Sequence, residues 1–466
     1  MARVNGVSHD GYLIELVKFD HLYDDSNIFS VIVGKNGVGK SRLLADIAKD
    51  QTIEYAYLLD PDDGNLIFSN RIGEDKDSKV IAISTSPFDK FPSPRKRLGQ
   101  DVSSNYRYVG MRGEGMYQPS SAVSLIASAA KGLIDKLLAR QSNHNLLAVF
   151  DSLNFRPIVE FVFKPGYIRA AKKYDEYDPH RIGDASLAID LKCLDHDYGI
   201  QIDERYFPIL EALPFSTRQK VFNAAKRVHG LFTKRKAVEL MVNFSGGSAS
   251  LDGQFANDEY IESMLVLLNA GLMRLIDLKL EKIGYGEMSL KRASSGEQCL
   301  LVLMLGIAGH ITDGSTILID EPEISLHPRW QEQFMMLLTT SFSAYRKCHF
   351  IVATHSPQII ARLRGEGCFI TSLSKREVYD AEEFYNRSAD YQLAELFDAP
   401  GIMNEYISRL AFNLLARVKA NKHVDYESVA DLQRLKELDK QVEANDPVKE
   451  LINSVVDLCE SYADSK

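Results

Sequence analysis

Residues 34–41, GKNGVGKS, form a glycine-rich segment of the kind that holds phosphate groups. Its three glycines let the backbone turn tightly, so that N–H groups can face an anion. Lys40 supplies a cation for the β- and γ-phosphates of a nucleotide, and the Ser41 hydroxyl is a ligand for Mg²⁺. The alternative is an ordinary glycine turn before a helix. The candidate nucleotide-binding residues of this segment and its flank are Gly34, Asn36, Gly37, Gly39, Lys40, Ser41 and Arg42.

Two neighbouring carboxylates lie far downstream. Residues 317–322, ILIDEP, indicate a short apolar strand that delivers Asp320 and Glu321 to its C-terminal end, the usual ligand edge of a parallel sheet. Asp320 fits a magnesium ligand, directly or through water. Glu321 fits the group that polarises an attacking water. On its own the pattern could be a strand that runs into an acidic loop, but together with the phosphate-binding segment it predicts nucleotide hydrolysis.

A helix start precedes this strand. In residues 294–298, SSGEQ, the last residue lies 22 positions before Asp320. Ser295 and Gly296 would present hydroxyl and N–H groups to an anion at a helix N-terminus, where the helix dipole favours negative charge. A plain helix N-cap is the alternative on local sequence alone. The position just before the acidic strand favours anion binding, with Ser295, Gly296 and Gln298 as candidate nucleotide contacts.

A histidine follows the next apolar strand. His355 lies 35 positions after Asp320, in residues 354–357, THSP, again at the C-terminal end of a strand. A lone histidine is usually structural, but this one lies where a hydrogen bond to a γ-phosphate is expected. Glu321 and His355 are therefore the candidate catalytic residues, and Ser41 and Asp320 are the candidate metal ligands.

These motifs need a sheet that brings distant parts of the chain together. Apolar, β-branched runs at residues 29–33, 80–84, 316–319 and 350–353 predict its strands. Helical spacing at residues 122–140, 216–229 and 259–275 predicts an inserted, mostly helical region. The predicted divisions are residues 1–115 and 286–390 as two halves of one α/β head, 116–285 as the insertion and 391–466 as a helical C-terminal region.

The bulk composition is that of a globular, non-membrane protein. The chain has 466 residues, 45% of them hydrophobic and 26% charged, and a net charge of −9. No apolar run reaches the roughly 18 residues of a membrane helix. The five cysteines are scattered without a Cys-x-x-Cys pair, which favours reduced thiols in the cytoplasm over disulfides or a zinc site.

In this order the motifs resemble those of ABC-type ATPases. Residues 319–328, IDEPEISLHP, are typical of the soluble branch that includes RecF, SMC and OLD-like ATPases. The resemblance rests on residues 29–41 and 291–357. It implies a P-loop ATPase head that binds ATP and Mg²⁺ and dimerises head-to-head, with Ser295 of one subunit on the γ-phosphate held by the other. It further implies that residues 325–328 cross the dimer interface.

A narrower resemblance is to the PtuA ATPases of Septu-type and retron-linked antiphage systems. It rests on residues 84–91, STSPFDKF, on the SSGEQ segment and on the helical tail. It implies a subunit that regulates a separate HNH nuclease, PtuB, with a reverse transcriptase and its nucleic acid as further expected partners. The sequence shows no His-Asn-His set of its own. AriA, a defence ATPase that acts as a scaffold and sequesters an effector, has similar motifs and is an alternative.

Three other functions fit parts of the pattern. A RecF/SMC-like DNA repair or recombination ATPase would bind DNA directly, which the acidic balance disfavours. The long insertion disfavours a transport ATPase, and the presence of Glu321 and His355 disfavours a scaffold that barely hydrolyses ATP.

Two family features are unassigned. The glutamine expected after the strand at residues 80–84 has two distant candidates, and an adenine-stacking aromatic has three. These are Gln100 and Gln118, and Tyr12, Phe19 and Tyr23, respectively.

Overall fold

The computed structural model describes most of the chain. The described residues are 4–18, 25–52, 57–59, 66–68, 78–92, 105–112, 122–138, 144–167, 183–233, 235–324 and 326–463.

Seventeen strands occur among these residues. They are β1 Gly6–His9, β2 Tyr12–Glu15, β3 Ile28–Val33, β4 Tyr57–Leu59, β5 Leu66–Phe68, β6 Val80–Ser84, β7 Tyr106–Gly110, β8 Phe155–Pro165, β9 Val238–Asn243, β10 Ser248–Leu251, β11 Gln254–Phe255, β12 Met273–Lys282, β13 Gly286–Ser289, β14 Thr316–Asp320, β15 His349–Ala353, β16 Cys368–Ser372 and β17 Glu377–Asp380.

Fourteen α-helices accompany them in the same part of the chain. They are α1 Lys40–Thr52, α2 Ala122–Leu138, α3 His144–Ser152, α4 Ala185–Tyr198, α5 Phe207–Ala212, α6 Phe215–Phe232, α7 Asp258–Asn269, α8 Ser295–His310, α9 Pro328–Ser341, α10 Pro357–Ile360, α11 Ala389–Glu395, α12 Glu405–Asn421, α13 Tyr426–Asp439 and α14 Pro447–Ala463.

A seven-stranded sheet forms the centre of the head, in the order β17-β16-β3-β15-β14-β6-β7. All neighbours are parallel except the β16–β17 pair at one edge. The inner strands are buried along their whole length, as expected for a parallel sheet covered on both faces. β3 lies between β15 and β16, and β6 lies beside β14. The sheet therefore combines strands from the N-terminal and C-terminal parts of the chain. This confirms the predicted α/β class.

The two faces of this sheet contribute to different cores. In β14, Ile317 and Ile319 face the larger core, while Leu318 faces a smaller one that also holds Leu43 and Leu44 of α1. The alternation follows from the period of two along a strand. The hairpin β1–β2 packs on the α1 side as well, through Val7 and Ile14 among others.

The insertion contains a second sheet, of which the sequence indicates a strand pair near residues 277–288 but not the other four strands. Six antiparallel strands follow the order β11-β10-β9-β8-β12-β13, and helices α2 to α7 surround them. The helix expected over residues 259–275 ends at Asn269, since Gly271 adopts φ 74° and redirects the chain into β12. The sheet extends past residue 285, because Gly286–Ser289 pairs with β12.

The insertion is joined to the head by a continuous hydrophobic core. Phe161 and Phe163 of β8 belong to the same buried cluster as Ile317 of β14 and most of α8. By contrast, α12, α13 and α14 enclose a small core of their own, which includes Leu414, Leu435 and Ile452. Among the described residues, no helix combines the length and apolar character required to cross a membrane.

Candidate functional site

The glycine-rich segment connects β3 to α1, the context that phosphate binding requires. Gly34, Gly37 and Gly39 have φ values of 151°, 79° and 105°, conformations that residues with a Cβ rarely adopt. The Lys40 ammonium lies over the loop, donating to the carbonyl oxygens of Gly34 at 2.8 Å and Lys35 at 3.2 Å. The loop is thus closed around a cation at the N-terminus of α1, an arrangement suited to phosphate.

Burial makes this ammonium easier to deprotonate than an ordinary lysine. It lowers the pKa of Lys40 to about 8, while the charges of Glu321, Glu323 and Asp320 oppose that shift. An incoming nucleotide phosphate would add negative charge beside the ammonium and so favour its charged form.

Asp320 ends β14 directly opposite the start of α1. Its Oδ1 accepts a hydrogen bond from the Ser41 hydroxyl at 3.0 Å, so the two predicted metal ligands are adjacent. Burial raises the pKa of Asp320 to about 7, and the bond from Ser41 opposes this. A hydroxyl and a carboxylate next to a phosphate loop are the protein ligands that Mg²⁺ needs, the rest coming from phosphate and water. Mg²⁺ bound there would neutralise charge on the phosphates.

Glu321 and His355 lie side by side at the same sheet edge. His355 Nε2 is 3.3 Å from Glu321 Oε1, and His355 Nδ1 is 2.9 Å from Lys40 Nζ. Since lysine can only donate, Nδ1 is the acceptor and Nε2 carries the proton toward the carboxylate. Burial lowers the pKa of His355, as does Lys40, which keeps the imidazole neutral. The three side chains form a continuous chain from the phosphate loop to the predicted water-activating group.

Glu321 has an unusual backbone conformation. Its φ is 48°, in the left-handed region, and its N–H donates to the Ala353 carbonyl at 2.9 Å. The turn directs the chain away from β14 immediately after Asp320. A strained conformation at a residue with a catalytic assignment agrees with that role.

The SSGEQ segment begins α8, as predicted. The Ser294 side chain is the N-cap and accepts from the Glu297 N–H at 3.3 Å, while its hydroxyl donates to Glu297 Oε2 at 2.9 Å. Glu297 also pairs with Lys282 at 3.3 Å. The hydrogen bond from Ser294 holds the pKa of Glu297 below its ordinary value, with Lys282 adding to the effect. The carboxylate is thereby held on the insertion side.

The remaining residues of this segment stay accessible. Ser295 is exposed, and Gly296 and Gln298 are half-buried. Among the described residues, no hydrogen bond joins any of the three to the phosphate loop of the same chain. The fold therefore gathers Lys40, Ser41, Asp320, Glu321 and His355 into one site. Near the start of α8, Cys299 reaches the segment after Glu321, with its Sγ 3.4 Å from the Ile324 carbonyl.

The other nucleotide-binding candidates lie at the rim of the loop. Asn36 and Arg42 are both exposed, and Arg42 Nη2 contacts Asp10 Oδ2 at 3.4 Å. The tip of the β1–β2 hairpin therefore reaches α1, a contact that no motif had signalled. His9 on this hairpin is buried and bonds Asp46 at 3.2 Å.

The structure adds a carboxylate that was not assigned a role. Glu323 Oε1 accepts the backbone N–H of His355 at 2.5 Å. Burial raises the pKa of Glu323, and the bond from His355 opposes the shift. The signal was present in the sequence, as a second glutamate in the run IDEPE, but spacing alone could not show which atom it reaches.

The segment after β6 is fixed by another buried carboxylate. Asp89 accepts from the Tyr108 hydroxyl at 2.8 Å, from Arg112 Nε at 3.2 Å and from the Phe91 N–H at 3.1 Å. Burial raises its pKa, while the hydrogen bonds oppose that. These contacts anchor the loop that follows Ser84, at the edge where Asp320 lies.

Several family features remain beyond the described residues. Gln100, Gln118, Phe19, Tyr23 and Ser325 all lie there. Tyr12 is described, and the Arg376 guanidinium lies 3.4 Å from the centre of its half-exposed ring, on one of its two faces.

A family model described as "AAA domain, putative AbiEii toxin, Type IV TA system" matches residues 233–361. The match takes in α8, β14 and His355 but not the phosphate loop. It assigns an ATPase-type domain to the C-terminal half of the head.

Three curated proteins are similar over short stretches. The Retron Ec83 probable ATPase of Escherichia coli is 37% identical over 83 residues, which are 16% of this chain and 15% of the relative. The Retron Vc95 probable ATPase of Vibrio cholerae serotype O1 biovar El Tor is 30% identical over 102 residues, 20% and 19% of the two chains. Protein ea59 of Escherichia phage lambda is 30% identical over 134 residues, 28% and 25%. The matches thus span a quarter or less of each relative.

Among solved structures, the SmcHead bound to the C-winged helix domain of ScpA covers 30% of this chain and 66% of its own. Its sequence identity is 12% and its TM-score 0.17, too low to bear on the fold. The similarities as a whole support an ATPase domain of the kind found in retron-associated probable ATPases.

Proposed function

We propose that this protein is an ATP-hydrolysing subunit of a bacterial antiphage defence complex, working in the cytoplasm. It binds Mg·ATP at the phosphate loop, dimerises head-to-head around the nucleotide and regulates a partner nuclease of the PtuB-like HNH type. The observation that carries the hydrolytic part is the contact chain from Lys40 through His355 to Glu321, beside the Ser41–Asp320 pair.

The chain of contacts assigns each side chain a step. Lys40 and the loop N–H groups hold the β- and γ-phosphates. Neutral His355 lies between Lys40 and Glu321, and its Nε2–H would donate to a γ-phosphate oxygen once the nucleotide takes the place of Glu321 as its acceptor. Glu321, whose contact with the site runs through His355, accepts a proton from the attacking water. Ser41 and Asp320 are the residues that would hold Mg²⁺.

The dimer follows from what the site lacks within one chain. Ser295 and Gly296 present donors at the N-terminus of α8 without contacting the phosphate loop of their own subunit, as far as the described residues show. An isologous pair of heads would put these donors on the γ-phosphate held by the partner. ATP bound between the two heads then stabilises the dimer, and its hydrolysis weakens the dimer.

The defence setting rests on the two retron probable ATPases among the relatives. For this chain we propose the corresponding arrangement, in which the closed and open dimers present different surfaces to a separate nuclease. A reverse transcriptase and its nucleic acid complete the proposed assembly.

Glu321→Gln tests the hydrolytic assignment. The amide keeps the size of the side chain but cannot accept a proton, so we expect hydrolysis to fall by ~10²–10⁴-fold with ATP affinity retained. The variant should accumulate as an ATP-bound dimer, measured by light scattering after size exclusion. Glu366→Gln, at an exposed site outside the ATPase site, is the matched control. Turnover at the wild-type rate in Glu321→Gln would refute the role given to Glu321.

A further inference from the structure

One glutamine connects two loops of the site that the motifs do not relate. Gln331 lies in the first turn of α9. Its Oε1 accepts from the Ser356 hydroxyl at 2.7 Å, and its Nε2 donates to the Leu326 carbonyl at 3.0 Å and to that of Glu323 at 3.5 Å. Both ends of the amide are therefore used, one by the loop that carries His355 and one by the segment that follows Glu321.

A second bond runs between the same two loops. The Glu323 carboxylate accepts the His355 N–H at 2.5 Å. A bond from a backbone N–H to a buried carboxylate is charge-assisted and stronger than a neutral one. Residues 354–356, called here the histidine loop, and residues 323, 324, 326 and 327, called the post-acidic segment, are thus joined at two points. Ser356 also caps α10 through its bond from Gln358 N, which fixes the far side of the histidine loop.

We propose that Glu323 and Gln331 are positioning residues that lock the histidine loop to the post-acidic segment, so that the state of the γ-phosphate at His355 is transmitted to the N-terminus of α9. This inference rests on the proposed ATPase function. Neither residue touches the nucleotide. They act through His355 on one side and through the start of α9 on the other.

The surroundings of the start of α9 indicate where a movement of His355 would be transmitted. The start of α9 borders an open cavity of about 610 Å³ whose opposite wall is the start of α8. Trp330 and Arg329 contribute from α9, and Glu297 and Lys282 from the α8 side. A small rotation of α9 would change the distance between these two helix starts, of which the start of α8 carries the exposed donors of the proposed dimer. The position of His355 is thereby coupled to the dimer surface.

The protein carries its own reporter for this movement. Trp330 is the single tryptophan of the chain, is half-buried in this cavity wall and is next to Gln331. Its emission should therefore shift when Mg·ATP binds to the wild-type protein. Because Trp330 is not part of the nucleotide site, the shift reports a change around the start of α9 and not contact with the nucleotide.

Gln331→Ala is the decisive variant, and Thr340→Ala is its control at an exposed position of the same helix, away from the cavity. Alanine favours helix, so α9 should be retained, which thermal melting checks. For Gln331→Ala we expect kcat to fall about tenfold or more, because His355 is no longer held in the position that hydrolysis requires. ATP affinity, measured with a fluorescent nucleotide, should change by less than about threefold because no nucleotide contact is lost. The ATP-induced shift in Trp330 emission should disappear, whereas Thr340→Ala should keep both activity and shift.

The Glu323 bond is tested by a conservative pair. Glu323→Gln retains an oxygen that accepts the His355 N–H and should keep most of the activity, whereas Glu323→Ala should reproduce the loss seen in Gln331→Ala. Equal losses in both Glu323 variants would overturn the role of this hydrogen bond.

The outcomes distinguish a failure of this inference from a failure of the proposed ATPase function. If the wild-type protein neither binds nor hydrolyses ATP, the proposed function fails. If the wild type hydrolyses ATP but Gln331→Ala matches Thr340→Ala in kcat and in emission, the transmission role alone is wrong. Absence of an ATP-induced emission shift in an active wild-type protein would overturn it too.

Discussion

At the scale of single residues, Asp320 meets two opposing demands. Metal binding needs a charged carboxylate, but the side chain is only 3% exposed, and burial raises its pKa to about 7 from 3.8. The folded protein therefore retains a proton on Asp320 at pH values where the unfolded chain has released it. Stability linked to this group is highest at low pH and declines as the pH rises from about 4 to about 7.

Asp320→Asn should remove this pH dependence. Without nucleotide or Mg²⁺, we expect the stability of the wild type relative to Asp320→Asn to fall by ~2–3 kcal/mol between pH 5 and pH 8. Denaturant unfolding of both proteins at the two pH values measures it. Asp457→Asn, at an exposed position, is the control. A wild-type-to-variant difference that does not change with pH would show that burial does not perturb Asp320.

The residues of the site differed in how far the sequence revealed them. Ser41 and Asp320 were predictable because each belongs to a motif whose strand context fixes its position. Glu323 and Gln331 were not, because their partners are main-chain groups or a serine in another loop. Spacing along a chain tells which strand end a residue occupies, but not which atom its side chain reaches.

At the scale of elements, α8 is held by a close contact between two helices. A Cβ added at Gly309 of α8 would lie 2.8 Å from backbone atoms of Gly132 and Leu133 in α2. Backbone atoms cannot move aside as a flexible side chain can, so both glycines are needed for this packing. The contact places the C-terminal end of α8, the helix that begins with SSGEQ, against α2 of the insertion.

Gly309→Ala should therefore destabilise the protein despite the higher helix propensity of alanine. Overpacking costs ~1–3 kcal/mol, and we expect a lower melting temperature and reduced ATP hydrolysis through displacement of α8. Gly230→Ala is the matched control, since a Cβ added to this helical glycine would have no neighbouring atom within 4 Å. It should be neutral or stabilising by ~0.5–1 kcal/mol. Equal effects of the two substitutions would exclude the close contact as their cause.

Most strands of the antiparallel sheet in the insertion cannot be predicted from local sequence patterns. Its long strand β8 contains Pro157 and mixed burial, and its neighbour β9 alternates buried and exposed positions over only Val238–Asn243. The helices around it, such as α2 and α6, have longer apolar patterns and dominate the sequence signal. Pairing between β8 and β12 depends on residues more than 100 positions apart, which local periodicity cannot convey.

At the scale of the whole molecule, one site requires two parts of one chain and, in our proposal, a second chain. Lys40 and Glu321 meet within a subunit because β3 and β14 share a sheet with β15 between them. Among the described residues, Ser295 and Gly296 at the start of α8 make no hydrogen bond to either of them. A two-fold dimer would therefore contain two composite sites, each with Lys40 and Glu321 from one subunit and Gly296 from the other.

Mixing inactive subunits tests this composition directly. Lys40→Ala removes the phosphate cation, and Gly296→Asp places a carboxylate where the partner's γ-phosphate would lie, so each variant alone should be inactive. In an equal mixture, half of the dimers pair the two variants and one of their two sites is intact, which predicts recovery of about a quarter of the wild-type rate. Mixing Lys40→Ala with Glu321→Gln is the control. These two residues act in the same subunit, so no mixed dimer has an intact site and no activity should return. Recovery in both mixtures, or in neither when labelled subunits demonstrably exchange, would contradict an active site completed by α8 of the partner.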